Sequence, residues 1–137
     1  MTKDRTLTTA IHILTALAYR QPELVNSEYL ANSLQTNPGL VRRVLSKLVK
    51  ARLVESVKGK HGGYRLVHPA ESINLKMIYD AVDAGPIFRS FDKEPFTLCP
   101  VSCQIGSVLF GLYEDLEEAL LSKMAEMPLA SLVDEIQ

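Results

Sequence analysis

The chain has 137 residues, 47% of them hydrophobic and 23% charged, with a net charge of −1. That composition fits one globular domain with an appended helix, not a disordered or fibrous chain. No apolar run approaches the roughly 20 residues that a membrane span needs, and the N-terminus lacks the apolar core of a secretion signal, so the expected location is the cytoplasm, with no membrane partner.

Thr6 to Tyr19 reads as a first helix, with Leu7, Ala10, Ile11, Leu14, Leu17 and Ala18 recurring at spacings of three and four. His12 on this helix reads as a packed or hydrogen-bonded side chain, not a ligand. Gln21-Pro22 ends the helix. Asn26-Ser27 offers an N-cap for a short second helix over 28–34. Gln35-Thr36-Asn37 is a turn, in which Asn37 can cap and Pro38 suits the first position of a third helix running to about Ala51. Val41, Val44, Leu45, Leu48 and Val49 face inward there, leaving Arg42, Arg43, Ser46, Lys47 and Lys50 outside the apolar stripe. Leu53–Val57 and Tyr64–Val67 then pair as strands around a Lys58–Gly63 loop. Gly59, Gly62 and Gly63 are expected to supply the positive φ of a tight tip, with Tyr64 and Leu66 serving packing.

Ser72 is the expected cap of a fourth helix, Leu75 to Val82, which Ala84-Gly85-Pro86 breaks. Residues 86–98 form an irregular segment bearing Phe88, Phe91 and Phe96. From Pro100 to about Met124 a long helix resumes, with Val101, Ile105, Val108, Leu112, Leu116, Ala119 and Leu120 in a near-heptad seam. Phe110, Tyr113 and Leu121 add a second apolar edge. The preceding domain can cover one face, which leaves the seam for a partner subunit, most simply in a symmetric homodimer. Pro128 starts a last short helix containing Leu129, Leu132, Val133 and Ile136. The expected division is 1–84 as a winged helix-turn-helix, 85–99 as a linker or sensing segment, and 100–137 as a dimerisation helix with a short terminal helix. The fold class is mainly α with a small two-stranded β wing.

Charge is distributed unevenly along these elements. Residues 36–65 hold eight cations and one anion, whereas 66–137 hold four cations and twelve anions. A cationic helix followed by a cationic hairpin is the footprint of a polyanion-binding surface. A helix in the major groove needs short polar groups near its N-terminus and cations beyond them. Thr36, Asn37, Arg42 and Arg43 fill the first role, and Lys47 and Lys50 the second. Arginine can grip guanine with two hydrogen bonds, so Arg42 and Arg43 are candidates for reading bases, with phosphate contact as the open alternative. Lys58, Lys60 and His61 on the wing reach the flanking backbone or minor groove. Arg52, at the helix end, can complement the helix dipole.

The stretch Asn-Pro-Gly-Leu-Val-Arg-Arg-Val-Leu-Ser-Lys-Leu-Val-Lys-Ala-Arg-Leu-Val, followed by Val-Lys-Gly-Lys-His-Gly-Gly-Tyr-Arg-Leu, resembles the IscR/NsrR/CymR family of bacterial repressors. The resemblance extends to Cys-Pro-Val at 99–101 and Pro-Leu-Ala-Ser-Leu-Val at 128–133. It implies a homodimer joined through the long helix and bound to a palindromic operator in double-stranded DNA. Its DNA-contact pattern falls on Asn37, Gly39, Leu40, Arg42, Arg43 and Lys58. Cluster-binding members of the family carry three cysteines, with a histidine or a helix-1 acid as the further ligand. Here only Cys99 and Cys103 occur, Gly106 stands at the histidine position and Thr8 at the acidic one. A 2Fe–2S site with four protein ligands is therefore incomplete, and no cofactor is expected.

Cys99, just before Pro100, sits where helix amides and the dipole favour a thiolate, with Cys103 one turn on. Redox sensing by this pair and plain packing are alternative readings. A disulfide between them would distort the first turn, and zinc lacks enough nearby ligands. Enzymatic function finds no support: the glycine hairpin lacks the features of a phosphate loop, and no nucleophile–base–orienter set stands out. The leading expectation is a dimeric DNA-binding repressor, controlled by thiol redox state or a small ligand. Docking of the acidic second half onto another protein, such as a metabolic enzyme, is the alternative.

Overall fold

The computed structural model describes residues 3–83, 85–88 and 94–136. Phe91 and residue 84 of the expected helix break lie outside them. Six helices and one hairpin follow in order: α1 (Lys3–Tyr19), α2 (Ser27–Leu34), α3 (Pro38–Lys50), β1 (Val54–Val57), β2 (Gly63–Leu66), α4 (Leu75–Ala81), α5 (Pro100–Ala125) and α6 (Leu129–Asp134). This is the mainly helical winged architecture that the sequence predicts.

The core lies where α1, α2, α3 and α4 meet. Ile13, Leu14, Leu17, Leu30, Val41, Leu45, Leu48 and Ile78 are fully buried there; on α1, Ile13 joins the expected Ala10, Leu14 and Leu17, while Leu7, Ile11 and Ala18 are half-buried. Asn26 and Asn37 cap α2 and α3 through their side-chain oxygens, accepting from the amides of Tyr29 at 2.8 Å and Leu40 at 2.9 Å. Both caps satisfy amides that a helix N-terminus otherwise leaves unpaired.

Two helix ends close by the same device. At the end of α2, Gln35 adopts φ 55°, its amide donates to the Asn32 carbonyl and that of Thr36 to Ala31. At the end of α3, Arg52 adopts φ 63°, its amide donates to Val49 and that of Leu53 to Leu48. Each is a Schellman closure with a left-handed residue that is not glycine. Arg52 thus does more than complement the dipole: it is the hinge residue that swings the chain from α3 into β1.

The strands pair antiparallel with Val54 opposite Leu66 and Val57 opposite Gly63. The chain before α2 joins them, because Val25 and Tyr64 exchange backbone hydrogen bonds of 3.1 and 2.8 Å. Ser72 does not cap α4. It is drawn into a 3-10 turn over Ala70–Ser72, its amide bonding Pro69, and Asn74 caps instead, accepting from Met77 N at 2.9 Å. Asn74 is extended (φ −115°, ψ 168°), the backbone a cap requires.

Helix α5 packs on α4, and its end returns to the core through the buried Met124. The chain then bridges back, with Leu75 N donating to Met127 O and Leu129 N to Ile73 O. This seats α6 against α1, with Leu129 fully buried.

Candidate nucleic-acid interface

Helix α3 divides cleanly. Val41, Val44, Leu45 and Leu48 are buried, whereas Gly39, Arg42, Arg43, Ser46, Lys47 and Lys50 are exposed. Thr36 and Leu40 are half-buried beside the exposed cap residue Asn37. The cap commits the Asn37 oxygen to Leu40 N, which leaves its amide NH2 group as the donor it can present outward. A Cβ at Gly39 would lie 3.2 Å from that capping oxygen, so glycine keeps the helix start open. Lys47 has a second engagement: its Nζ lies 3.5 Å from the carbonyl of Val82 at the end of α4.

The wing tip carries Lys58, Lys60 and His61, all exposed. Its glycines divide their work differently from the expectation. Gly59 alone among them has positive φ, 115°. Gly62 is required because a Cβ there would fall on the carbonyl of Val57, and Gly63 because a Cβ would come within 2.8–3.0 Å of the Val25 backbone. The glycine pair thus permits close backbone approach, of strand to turn and of wing to the chain before α2.

Two contacts lay beyond sequence reasoning. Arg65, one of the eight cations of residues 36–65, pairs with Glu55 directly across the ladder at 2.5 Å. The hairpin register, once known, gives this pair; composition does not. Val25 carried no signal, because Leu24-Val25 is only a two-residue apolar step between Glu23 and the α2 cap.

At the start of α5, Cys99 occupies the N-cap and makes no capping hydrogen bond. Its carbonyl accepts from Cys103 N at 3.1 Å. Cys103 is exposed, and its Sγ lies 3.7 Å from the carbonyls of both Phe96 and Thr97. Among the described residues no group of three or more His, Cys, Asp or Glu side chains is placed to hold a metal ion. Two thiols one turn apart, the exposed one directed at backbone carbonyls, do not fit an iron–sulfur cluster with four protein ligands in one chain. His12 is a hydrogen-bonded side chain, its Nε2 2.8 Å from Ser33 Oγ. His61 and His68 stay with the wing and the turn after it.

Among the described residues no helix is long and apolar enough to cross a membrane. The Rrf2 family model, described as iron-dependent transcriptional regulator, matches residues 4–135. YwnA of Bacillus subtilis (strain 168), provisionally named an HTH-type transcriptional regulator, is 32% identical over 130 residues, 95% of this chain and 96% of that protein. The HTH-type transcriptional regulator NsrR of the same organism is 29% identical over 127 residues, 91% of this chain and 83% of that one. The structure of CymR, the global cysteine regulator of B. subtilis, shares the fold with a TM-score of 0.72 at 19% identity, covering 100% of this chain and 97% of that one. This chain therefore belongs to the Rrf2 family, whose model and relatives are described as transcriptional regulators and not as enzymes.

Proposed function

We propose that the protein is a homodimeric repressor that binds a palindromic operator in double-stranded DNA. The observation that carries this reading is the exposed cationic face of α3, joined to an exposed cationic wing by a single tight turn at Arg52. Arg42 and Arg43 read base edges, the Asn37 amide group and Gly39 lie at the groove-facing helix start, and Leu40 adds an apolar contact. Thr36, Lys47, Lys58, Lys60 and His61 hold the sugar–phosphate backbone. Dimerisation uses the α5 seam, where Val101 is 65% and Val108 62% exposed in the single chain. Two-fold symmetry then sets half-sites about one helical turn, roughly 34 Å, or a multiple apart.

A gel-shift series tests this. Arg43→Ala is expected to weaken operator binding by about 1–3 kcal/mol, and Lys58→Ala to lower the salt slope by about one. Unchanged affinity in both variants would remove the assignment.

Residues 85–103 are the proposed input segment. Cys99 holds the N-cap, a position that favours a thiolate, and Cys103 is the more exposed thiol; oxidation at this pair, beginning at Cys99, would disturb the turn from which α5 starts. Docking to a metabolic enzyme is a second reading. Phe96 and Leu98 favour it, being 62% and 83% exposed beside the cysteines. A docking module without DNA function would show no steep salt dependence on duplex DNA.

A further inference from the structure

A groove of about 650 Å³ lies between α1, α2 and α6, within the roughly 300–1,000 Å³ typical of small-molecule sites. The DNA-binding reading makes no use of it. Half-buried Ile11, Ala16 and Leu132 line it, together with the more exposed rings of Tyr19 and Tyr29.

Across it, His12 Nε2 and Ser33 Oγ stand 2.8 Å apart, linking α1 to α2. A hydroxyl has one donor and two acceptor positions, and an imidazole one of each when neutral, so the pair keeps spare capacity for both donating and accepting.

The charged side chains of the lining are Arg20 and Glu135. Arg20 is already paired with Glu23 at 2.6 Å and lies 4.4 Å over the Tyr29 ring. With Arg20 held by Glu23, the lining offers an anion no uncommitted base and a cation only the exposed Glu135 at its edge, so an uncharged ligand suits its apolar floor best.

We propose that this groove binds a small uncharged aromatic compound bearing a hydroxyl or carbonyl oxygen. Its ring lies against Tyr19 and Tyr29, and its oxygen engages the His12–Ser33 pair. Tyr29 and Ser33 are one turn apart on α2, and α2 closes at Gln35, two residues before the cap of α3. A ligand bridging α1 and α2 therefore bears on the placement of α3. That regulatory consequence rests on the DNA-binding reading; the binding itself does not.

The test is a titration of the full chain, without DNA, by 2-naphthol, followed by ligand fluorescence and by protein chemical shifts. Saturable binding below ~1 mM is expected, with shifts concentrated at His12, Tyr29 and Ser33. Ala16→Phe should abolish it by filling the groove. Ser33→Ala, at an exposed position, should weaken it about three- to tenfold, the effect of one hydrogen bond, in a chain that remains folded. Absence of saturable binding by the wild-type chain would overturn the proposal. So would undiminished affinity in a folded Ser33→Ala chain, or shifts confined to the apolar face of α5. A chain that takes 2-naphthol but no operator keeps this proposal and sinks the DNA reading; the converse result does the reverse.

Discussion

Arg52 shows how much a single backbone angle decides. Its left-handed φ of 63° costs an L-residue roughly 1–2 kcal/mol, against roughly 0.5–1 kcal/mol of extra entropy lost on ordering a glycine. Arg52→Gly is therefore expected to stabilise the fold by about 0.5 kcal/mol, read as a higher urea midpoint. Gly63→Ala should act the other way. Its methyl meets the Val25 backbone at 2.8–3.0 Å, and overpacking of this kind costs about 1–3 kcal/mol. Tyr79 gives a pH signature. Burial, then the negative charges of Glu117, Asp80 and Asp83, raise its phenol above the ordinary value of 10.0. The folded state thus favours the neutral ring. The associated stability is complete below that ordinary value and is lost as pH climbs through the raised one. Denaturation midpoints should fall above about pH 10, and Tyr79→Phe should remove that part of the fall. Neither Gln35 nor Arg52 announces a left-handed angle by its identity, which is why the sequence located both turns without their geometry.

Helices were the most legible elements, because apolar spacing and Asn caps act locally. Asn26, Asn37 and Pro38 fix the starts of α2 and α3 before any tertiary contact is considered. Ser72 misled because a 3-10 turn over Ala70–Ser72 takes it up, and Asn74, two residues on, caps α4 instead. The wing glycines misled for a related reason: close approach between segments distant in sequence is invisible in either alone. The face of α5 was legible as surplus apolar surface, and Val101, Val108 and Phe110 are indeed all more than 60% exposed in the single chain. Exposed apolar surface of this kind supports the proposed dimer interface. Val108→Glu together with Leu112→Glu is expected to convert the proposed dimer to monomer in sedimentation experiments while leaving helicity intact. A dimer that survives both substitutions would place its interface elsewhere.

Across the whole molecule, the first and last helices meet: α6 packs on α1, so the chain returns to the domain after the long helix. The basic block that the sequence displays as a run becomes, in three dimensions, an exposed helix face plus a wing tip, with Arg65 withdrawn from it by Glu55. The wing itself is anchored. Val25 and Tyr64 trade hydrogen bonds while Gly63 lets their backbones touch. Amide exchange at these two positions should therefore be slow, close to the rate set by global unfolding; rapid exchange would mean a loosely held hairpin. This anchoring bears on how the proposed operator complex would be released. A hairpin bolted at its base behaves as an outrigger on a rigid hull: it cannot be furled separately from the helix it flanks. In the proposed dimer, a signal that releases DNA is then expected to tilt or respace the two halves as units, each wing staying with its own helix.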